Sequence, residues 1–177
     1  MSSNPKEREF KPLNIAVMTV SDTRTEANDK SGDTLVKLLT EAGHQLAEKC
    51  IVPDDVYQLR AVLSRWIADP AINAVMTTGG TGITGRDSTP EAVKVLLDKE
   101  IEGFGEVFRA VSYEEINTST IQSRALAGVA NATFLFCLPG STGACRTGWG
   151  KIISHQLDYR TRPCNLVELM PRVLEKG

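Results

Sequence analysis

Three stretches of the chain lack the polar alternation of a half-wet strand: Leu13 to Val20 (LNIAVMTV), Ile72 to Thr78 (INAVMTT) and Thr133 to Leu138 (TFLFCL). Such runs read as strands buried on both faces, the pattern of a parallel sheet covered by helices on each side. Gln45 to Val52 (QLAEKCIV) is a weaker, more polar fourth strand, nearer an edge. Helical periodicity fills the gaps. Ser31 to Ala42 repeats apolar residues at Leu35, Leu38, Leu39 and Ala42, with Gly43 placed for a C-terminal cap. Asp55 to Ala68 repeats them through Val56, Leu59, Leu63, Trp66 and Ile67. Strand and helix in alternation imply right-handed crossovers, so the fold class is α/β: three layers, a mostly parallel sheet with helices on both faces.

The middle of the chain is less regular. Glu102-Gly103-Phe104-Gly105 reads as a break before a helix over Glu106 to Ile116. Thr118 is placed to cap another helix through Ala127, and LPGSTGACR (138 to 146) leads into a helix that reaches Leu157. At 177 residues the chain has the size of one domain, taking roughly 150 residues per domain as a guide. That domain is assigned to residues 13–165, with a disordered tail over 1–12 and a C-terminal tail over 166–177.

Charge and composition exclude several classes. A net charge of -2 gives no basic footprint for nucleic acid. MSSNPKEREF has no apolar run after its basic residues and so is neither a secretory signal nor a transit peptide. The uncharged stretch Ala125 to Cys145 is interrupted by Asn131, Pro139 and Gly140, leaving only Phe134 to Leu138 densely apolar, too short to span a membrane. Cys50, Cys137, Cys145 and Cys164 stand far apart with no C-x-x-C pair, which reads as reduced thiols acting as small hydrophobes in a cytoplasmic protein.

In parallel α/β sheets ligands gather where strands end and helix N-termini begin. The loops at 19–33, 77–89 and 138–144 all leave that edge, each rich in Ser, Thr and Gly. Glycine lets backbone N–H groups approach a phosphate, and hydroxyls add neutral donors, so the composition fits a phosphorylated ligand. A Walker loop fails, because no lysine follows the glycines; Lys94 lies inside the next helix. Gly80-Thr81-Gly82-Ile83-Thr84-Gly85 spells G-x-G-x-x-G, but Thr89-Pro90-Glu91 starts the helix several residues too late for a dinucleotide fingerprint.

The long stretch from Gly85 to Pro90 leaves Arg86 and Asp87 at the mouth of the sheet. A carboxylate beside a phosphate cradle suits magnesium, which takes one or two carboxylates and keeps several waters. Pro53-Asp54-Asp55 leaves the second strand at the same edge, where a helix N-cap is the plainer role. Asp87 could instead favour the helix dipole, and Ser88 with Glu91 could form a capping box. His44 and His155 read as packing or surface residues, and no G-x-S-x-G accompanies them. Arg109 and Arg124 could neutralise phosphate, although an exposed helical ion pair is the commoner fate.

TTGGTGITGRDSTPEAV, with IVPDD, EIEGFGEVFR, TSTIQSRALAGV, LPGST and DYRTRPCN, resembles the molybdenum-cofactor biosynthesis family that includes MoaB, Mog and the gephyrin G domain. The likeness runs from Leu13 to about Asn165 and is nearest the MoaB-type branch. It implies a trimeric or hexameric α/β protein that adenylylates molybdopterin with magnesium and ATP. It also leaves a non-catalytic molybdopterin-binding or scaffold role open. By that resemblance Thr78, Gly79, Gly80, Thr81 and Gly82 form the phosphate loop, and Asp54 and Asp87 are the family's two acidic positions, catalytic and magnesium-binding. Ser21, Asp22, Gly140 and Ser141 would line the pterin side.

Overall fold

The computed structural model describes residues 8–175, and the rest of the expected N-terminal tail lies outside that range. Six strands form one sheet in the order β2-β1-β3-β6-β5-β4. They are β1 (Asn14–Val20), β2 (Gln45–Val52), β3 (Ala74–Thr78), β4 (Lys99–Glu100), β5 (Leu126–Ala130) and β6 (Thr133–Leu138). β2, β1, β3 and β6 run parallel. β5 is reversed against both of its neighbours. The chain passes from β1 outward to β2 and then back across β1 to β3, so the order switches between β1 and β3, where open α/β sheets form their crevice.

The uniformly apolar strands are explained by two cores. Ile15 and Val17 of β1 face Leu35 and Leu39 of α1 (Lys30–Glu41) and Phe104 and Phe108 of α4 (Glu102–Ile116). Ala16, Met18 and Val20 face Leu59, Leu63 and Trp66 of α2 (Val56–Ala68) and Ala92 and Val93 of α3 (Thr89–Lys94). Both faces are thus dry, and each fully buried large side chain contributes about 1.5–3 kcal/mol. The helix ends follow the sequence signals. Asp29 caps α1 by accepting from the Gly32 N–H at 3.0 Å, and Gly43 takes φ +94° just after that helix. Asp55 caps α2, accepting from the N–H groups of Tyr57 and Gln58 at 3.0 and 2.9 Å.

The middle of the chain departs from the sequence reading. The expected break at Glu102 to Gly105 is the first turn of α4. A Cβ on Gly105 would lie 2.7 Å from the carbonyl oxygen of Ala125, so this glycine lets the helix approach the lead-in to β5. The expected helix from Thr118 through Ala127 is instead a 3-10 segment (Asn117–Gln122) followed by strand β5. LAGVA is rich in small helix formers, yet all five residues are buried, and tertiary pairing to β6 overrides propensity. The β5–β6 hairpin turns at Asn131 and Ala132, with φ +46° and +65°, the geometry usually signalled by Asn-Gly.

From Thr142 the chain stays helical through α5 (Thr142–Gly148), a π-turn (Trp149–Ile153) and α6 (Ser154–Gln156). The expected tails are docked over their described parts. Arg8 bonds Glu168 at 2.7 Å, Phe10 packs on His44, and α7 (Leu166–Leu169) buries Val167 in the α1 and α4 core. His44 is a packing residue, accepting from the Leu13 N–H through Nδ1 at 3.2 Å, and burial lowers its pKa. Cys137 and Cys145 are buried, Cys50 is half-buried and Cys164 is exposed. Among the described residues no helix is long and apolar enough to cross a membrane.

Candidate functional site

The loops after β1, β3 and β6 touch one another because glycine stands at the contacts. Gly79 has φ +105°, and a Cβ there would lie 2.3 Å from the carbonyl oxygen of Val20 at the end of β1. A Cβ on Gly140 would lie 3.3 Å from the Cα of Gly79, which joins the β6 loop to the same point. Gly80, at φ +66°, leaves 2.3 Å between its missing Cβ and the Thr89 hydroxyl. That hydroxyl donates to Gly79 O at 2.8 Å, and the Thr89 N–H donates to Gly80 O at 3.0 Å. The loop's carbonyls are therefore held by the protein. Among the described residues the N–H groups of Gly80 and Thr81 make no hydrogen bond. Helix α3 begins at Thr89, beyond the glycines, so the dinucleotide fingerprint is absent in geometry as well as in spacing.

A cleft of about 450 Å³ opens beside this loop, lined by Gly79, Gly80, Thr81, Gly82, Asp87, Gly140 and Ser141. Asp87 turns back into its own loop. Its Oδ2 accepts from the Thr84 N–H at 2.9 Å and from the Thr84 hydroxyl at 2.6 Å, and the hydroxyl is the main cause holding this carboxyl below its ordinary range. Ser141 caps α5 by accepting from the Ala144 N–H at 3.1 Å. The rest of the wall was not foreseen. Ser112 and Glu115 come from α4, Ser119 and Gln122 from the 3-10 segment, Ser123 from the residue that follows it, and Thr147 from α5. Thr147 donates to Glu115 at 2.7 Å. The only signal in the sequence was the hydroxyl-rich TSTIQS, read as the start of a helix.

Other expected site residues stand apart from the cleft. Asp54 does not line it. With Asp55 serving as the helix cap, Asp54 is free to bind Ser88, whose N–H donates to Oδ1 at 3.1 Å and whose hydroxyl donates to the same oxygen. The other oxygen of Asp54 would be 2.8 Å from a Cβ on Gly80, so this carboxylate flanks the glycine loop from the β2 side. The Asp54 N–H donates to Asp22 at 3.1 Å. Asp22 in turn takes a bidentate pair from Arg86 at 3.0 and 2.6 Å, and that guanidinium lowers the Asp22 pKa. Ser21 closes its own turn through the N–H groups of Thr23 and Arg24. Thr78 is buried and donates to Pro139 O at 3.0 Å. Ser21, Asp22 and Thr78 therefore shape neighbouring loops, whereas Gly140 and Ser141 reach the cleft.

The alternative roles for the polar residues also resolve. Ser88 and Glu91 form no capping box, since Ser88 is committed to Asp54 and Glu91 to Arg124. Asp87 accepts from Thr84 in its own loop and stands one residue before Ser88, the N-cap of α3, where its charge also favours the helix dipole. Arg124 lies in an extended segment, not on a helix, and donates to backbone carbonyls of the glycine loop; Arg109 donates to Ala125 O at 3.2 Å.

Among the described residues no three His, Cys, Asp or Glu side chains converge as a metal cage. Magnesium seldom needs one, since it keeps water and shares phosphate oxygens with one or two carboxylates. Asp87 and the second oxygen of Asp54, which lies beside Gly80, fit that limited role.

Comparison with known proteins agrees with this architecture. Residues 16–159 match the family described as "Probable molybdopterin binding domain". The chain is 56% identical over 157 residues to molybdenum cofactor biosynthesis protein B of Escherichia coli (strain K12), covering 89% of this chain and 92% of that protein. A crystal structure of a molybdenum cofactor biosynthesis protein B superposes with a TM-score of 0.82 at 45% identity, covering 85% of this chain and 94% of that one. The tungsten cofactor synthesizing protein MoaB from Pyrococcus furiosus superposes with a TM-score of 0.74 at 42% identity, over 80% and 91% of the two chains.

Proposed function

The chain belongs to the molybdenum cofactor biosynthesis family, and from that premise we propose that its step is the adenylylation of molybdopterin. In this reaction the terminal phosphate of the pterin attacks the α-phosphate of ATP, giving adenylylated molybdopterin and releasing pyrophosphate. The observation that carries the proposal is the meeting, in one cleft, of the glycine loop, Asp87 and the Ser141 end of α5. Phosphoryl-type transfer asks mainly for positioning and charge neutralisation, so no covalent enzyme intermediate is needed. The N–H groups of Gly80 and Thr81 hold phosphate oxygens and stabilise charge on the transferred group. Gly140 and Ser141 meet the pterin. Asp87 at the cleft, with Asp54 from the β2 side of the glycine loop, would hold magnesium, which would neutralise charge on the ATP phosphates.

The test is product formation from ATP and molybdopterin with magnesium or with a chelator, comparing wild type with Asp54→Ala. Magnesium-dependent adenylylated molybdopterin is expected from the wild type and a reduced rate from the variant. Binding of molybdopterin by calorimetry, with no product from ATP, would assign a non-catalytic pterin-binding or scaffold role instead. NAD and FAD should leave the thermal midpoint unchanged, because only a ligand that binds the folded state raises it.

We also propose a homo-oligomer, trimer or hexamer. Val107, Tyr113, Ile116 and Ile121 on α4 and the 3-10 segment leave apolar side chains exposed, as a surface covered by a second copy would. Light scattering that returned a monomer mass would overturn this assembly.

A further inference from the structure

The excursion of the β3 loop over residues 83–86 has a narrow neck, and one side chain outside the loop spans it. The Nε of Arg124 donates to Gly82 O at 2.7 Å on the way out, and Nη2 donates to Asp87 O at 2.7 Å on the way back. The remaining Nη1 pairs with Glu91 of α3, and the Arg124 N–H itself donates to Thr81 O at 3.0 Å. One planar guanidinium therefore ties both strands of the neck to the first turn of α3, while its own backbone is tied to the glycine loop.

We propose that Arg124 is a positioning residue: by clamping the carbonyls of Gly82 and Asp87 it fixes the neck of the loop and keeps the Asp87 carboxylate at the cleft. Arg124 does not itself line the cleft. Its geometry suits arginine and not lysine, because three rigid in-plane donors meet three acceptors, whereas an ammonium is a single point on a flexible stem. The loop bears this out at its inner edge. A Cβ on Gly82 would lie 2.6 Å from the Asp87 carboxylate, so the two ends of the neck are in contact and a small slip at either one displaces Asp87. At the tip, Gly85 has open space around it and needs no such fit.

The inference rests on the reading that Asp87 serves the site, and its test separates the two. Arg124→Ala and Arg124→Lys are compared with wild type by thermal melting, by adenylylation kinetics, and by amide hydrogen exchange over residues 79–89 without ligand. Both variants should lose at least about tenfold in kcat at temperatures where they remain folded, with KM for ATP changed less than about threefold. Guanidinium at low millimolar concentration should restore part of the Arg124→Ala rate. The amides of Thr84 and Asp87 should exchange faster in both variants. A wild-type rate in Arg124→Ala, or a loss that tracks only the unfolded fraction and resists guanidinium, would overturn the proposal. If the wild type itself gives no product, the adenylylation reading falls and exchange decides alone: faster exchange at Thr84 and Asp87 supports the clamp, and unchanged exchange removes it.

Discussion

The two sides of the glycine loop carry similar residues and use them differently. Toward the β1 and β2 loops, polar groups satisfy one another: Arg86 with Asp22, Asp22 with the Asp54 N–H, and Asp54 with Ser88. Toward the cleft, Asp87 is held by donors of its own loop, and an open volume of about 450 Å³ adjoins it. Asp54 and Asp87 are held alike, each by the N–H and the hydroxyl of one nearby residue, whereas Asp22 is committed to a cation. What separates them is position: of the three carboxylates only Asp87 lines the cleft, although all of them leave the same edge of the sheet.

Gly79→Ala should erase the contrast altogether, since the new methyl would collide with Val20 O and the backbone sits at φ +105°. The left-handed backbone alone costs roughly 1–3 kcal/mol, so calorimetry should show a fall of several degrees in the midpoint, together with loss of molybdopterin binding. Gly85→Ala, with nothing near its Cβ, is the control and should melt like wild type. Asp87→Asn should leave the fold intact and lower the adenylylation rate at least about tenfold, or ~1.4 kcal/mol of barrier; full turnover would sink the magnesium role.

The cleft-side carboxylate should also resist acid. Its folded pKa is depressed by the Thr84 hydroxyl and N–H, so the stability it confers is present above the ordinary value of 3.8 and is lost only as pH falls through the lower folded value. Molybdopterin affinity, followed by fluorescence, should therefore lose no contribution from Asp87 between pH 7 and about 5. Asp87→Asn should show the same pH profile as wild type, and an acid-dependent drop in wild type alone over that range would contradict the assignment. On the rim, Asp22→Asn should cost the least. An exposed ion pair is screened by solvent and contributes little, so urea unfolding should detect only a small shift in midpoint.

Much of the fold could be read from the residues. β2 and β6 begin and end at the residues expected of them, and β1 and β3 differ only at their first residues. Those four are the parallel strands; β1, β3 and β6 are buried on both faces and so show as unbroken apolar runs, whereas β2 is the more polar, more exposed edge strand. The reversed strand β5 was invisible because LAGVA reads as a helix and because Asn131-Ala132 is a poor signature for its turn. The same error concealed the cleft wall from Ser112 to Ser123, since a helix placed at Thr118 points its hydroxyls nowhere in particular. Asp87 was legible from the late start of α3. Its divergence from Asp54 was not, because only folding shows that Asp55 takes the cap and leaves Asp54 to Ser88.

The reversal of β5 also bears on when the site can exist during folding. A parallel strand would bring its exit to the carboxyl edge, but β5 begins there, pairing Leu126 with Cys137, so it is the chain entering the strand that carries Arg124 to Gly82, 42 residues away in sequence. The hairpin that includes β5 forms locally and quickly, whereas β6 must find β3 across a long span, a slow closure in chains of high contact order. The neck of the glycine loop can thus be tied only once β6 has paired with β3 and brought the entry of β5 to the carboxyl edge, so order in this loop reports that the long-range ladder is in place.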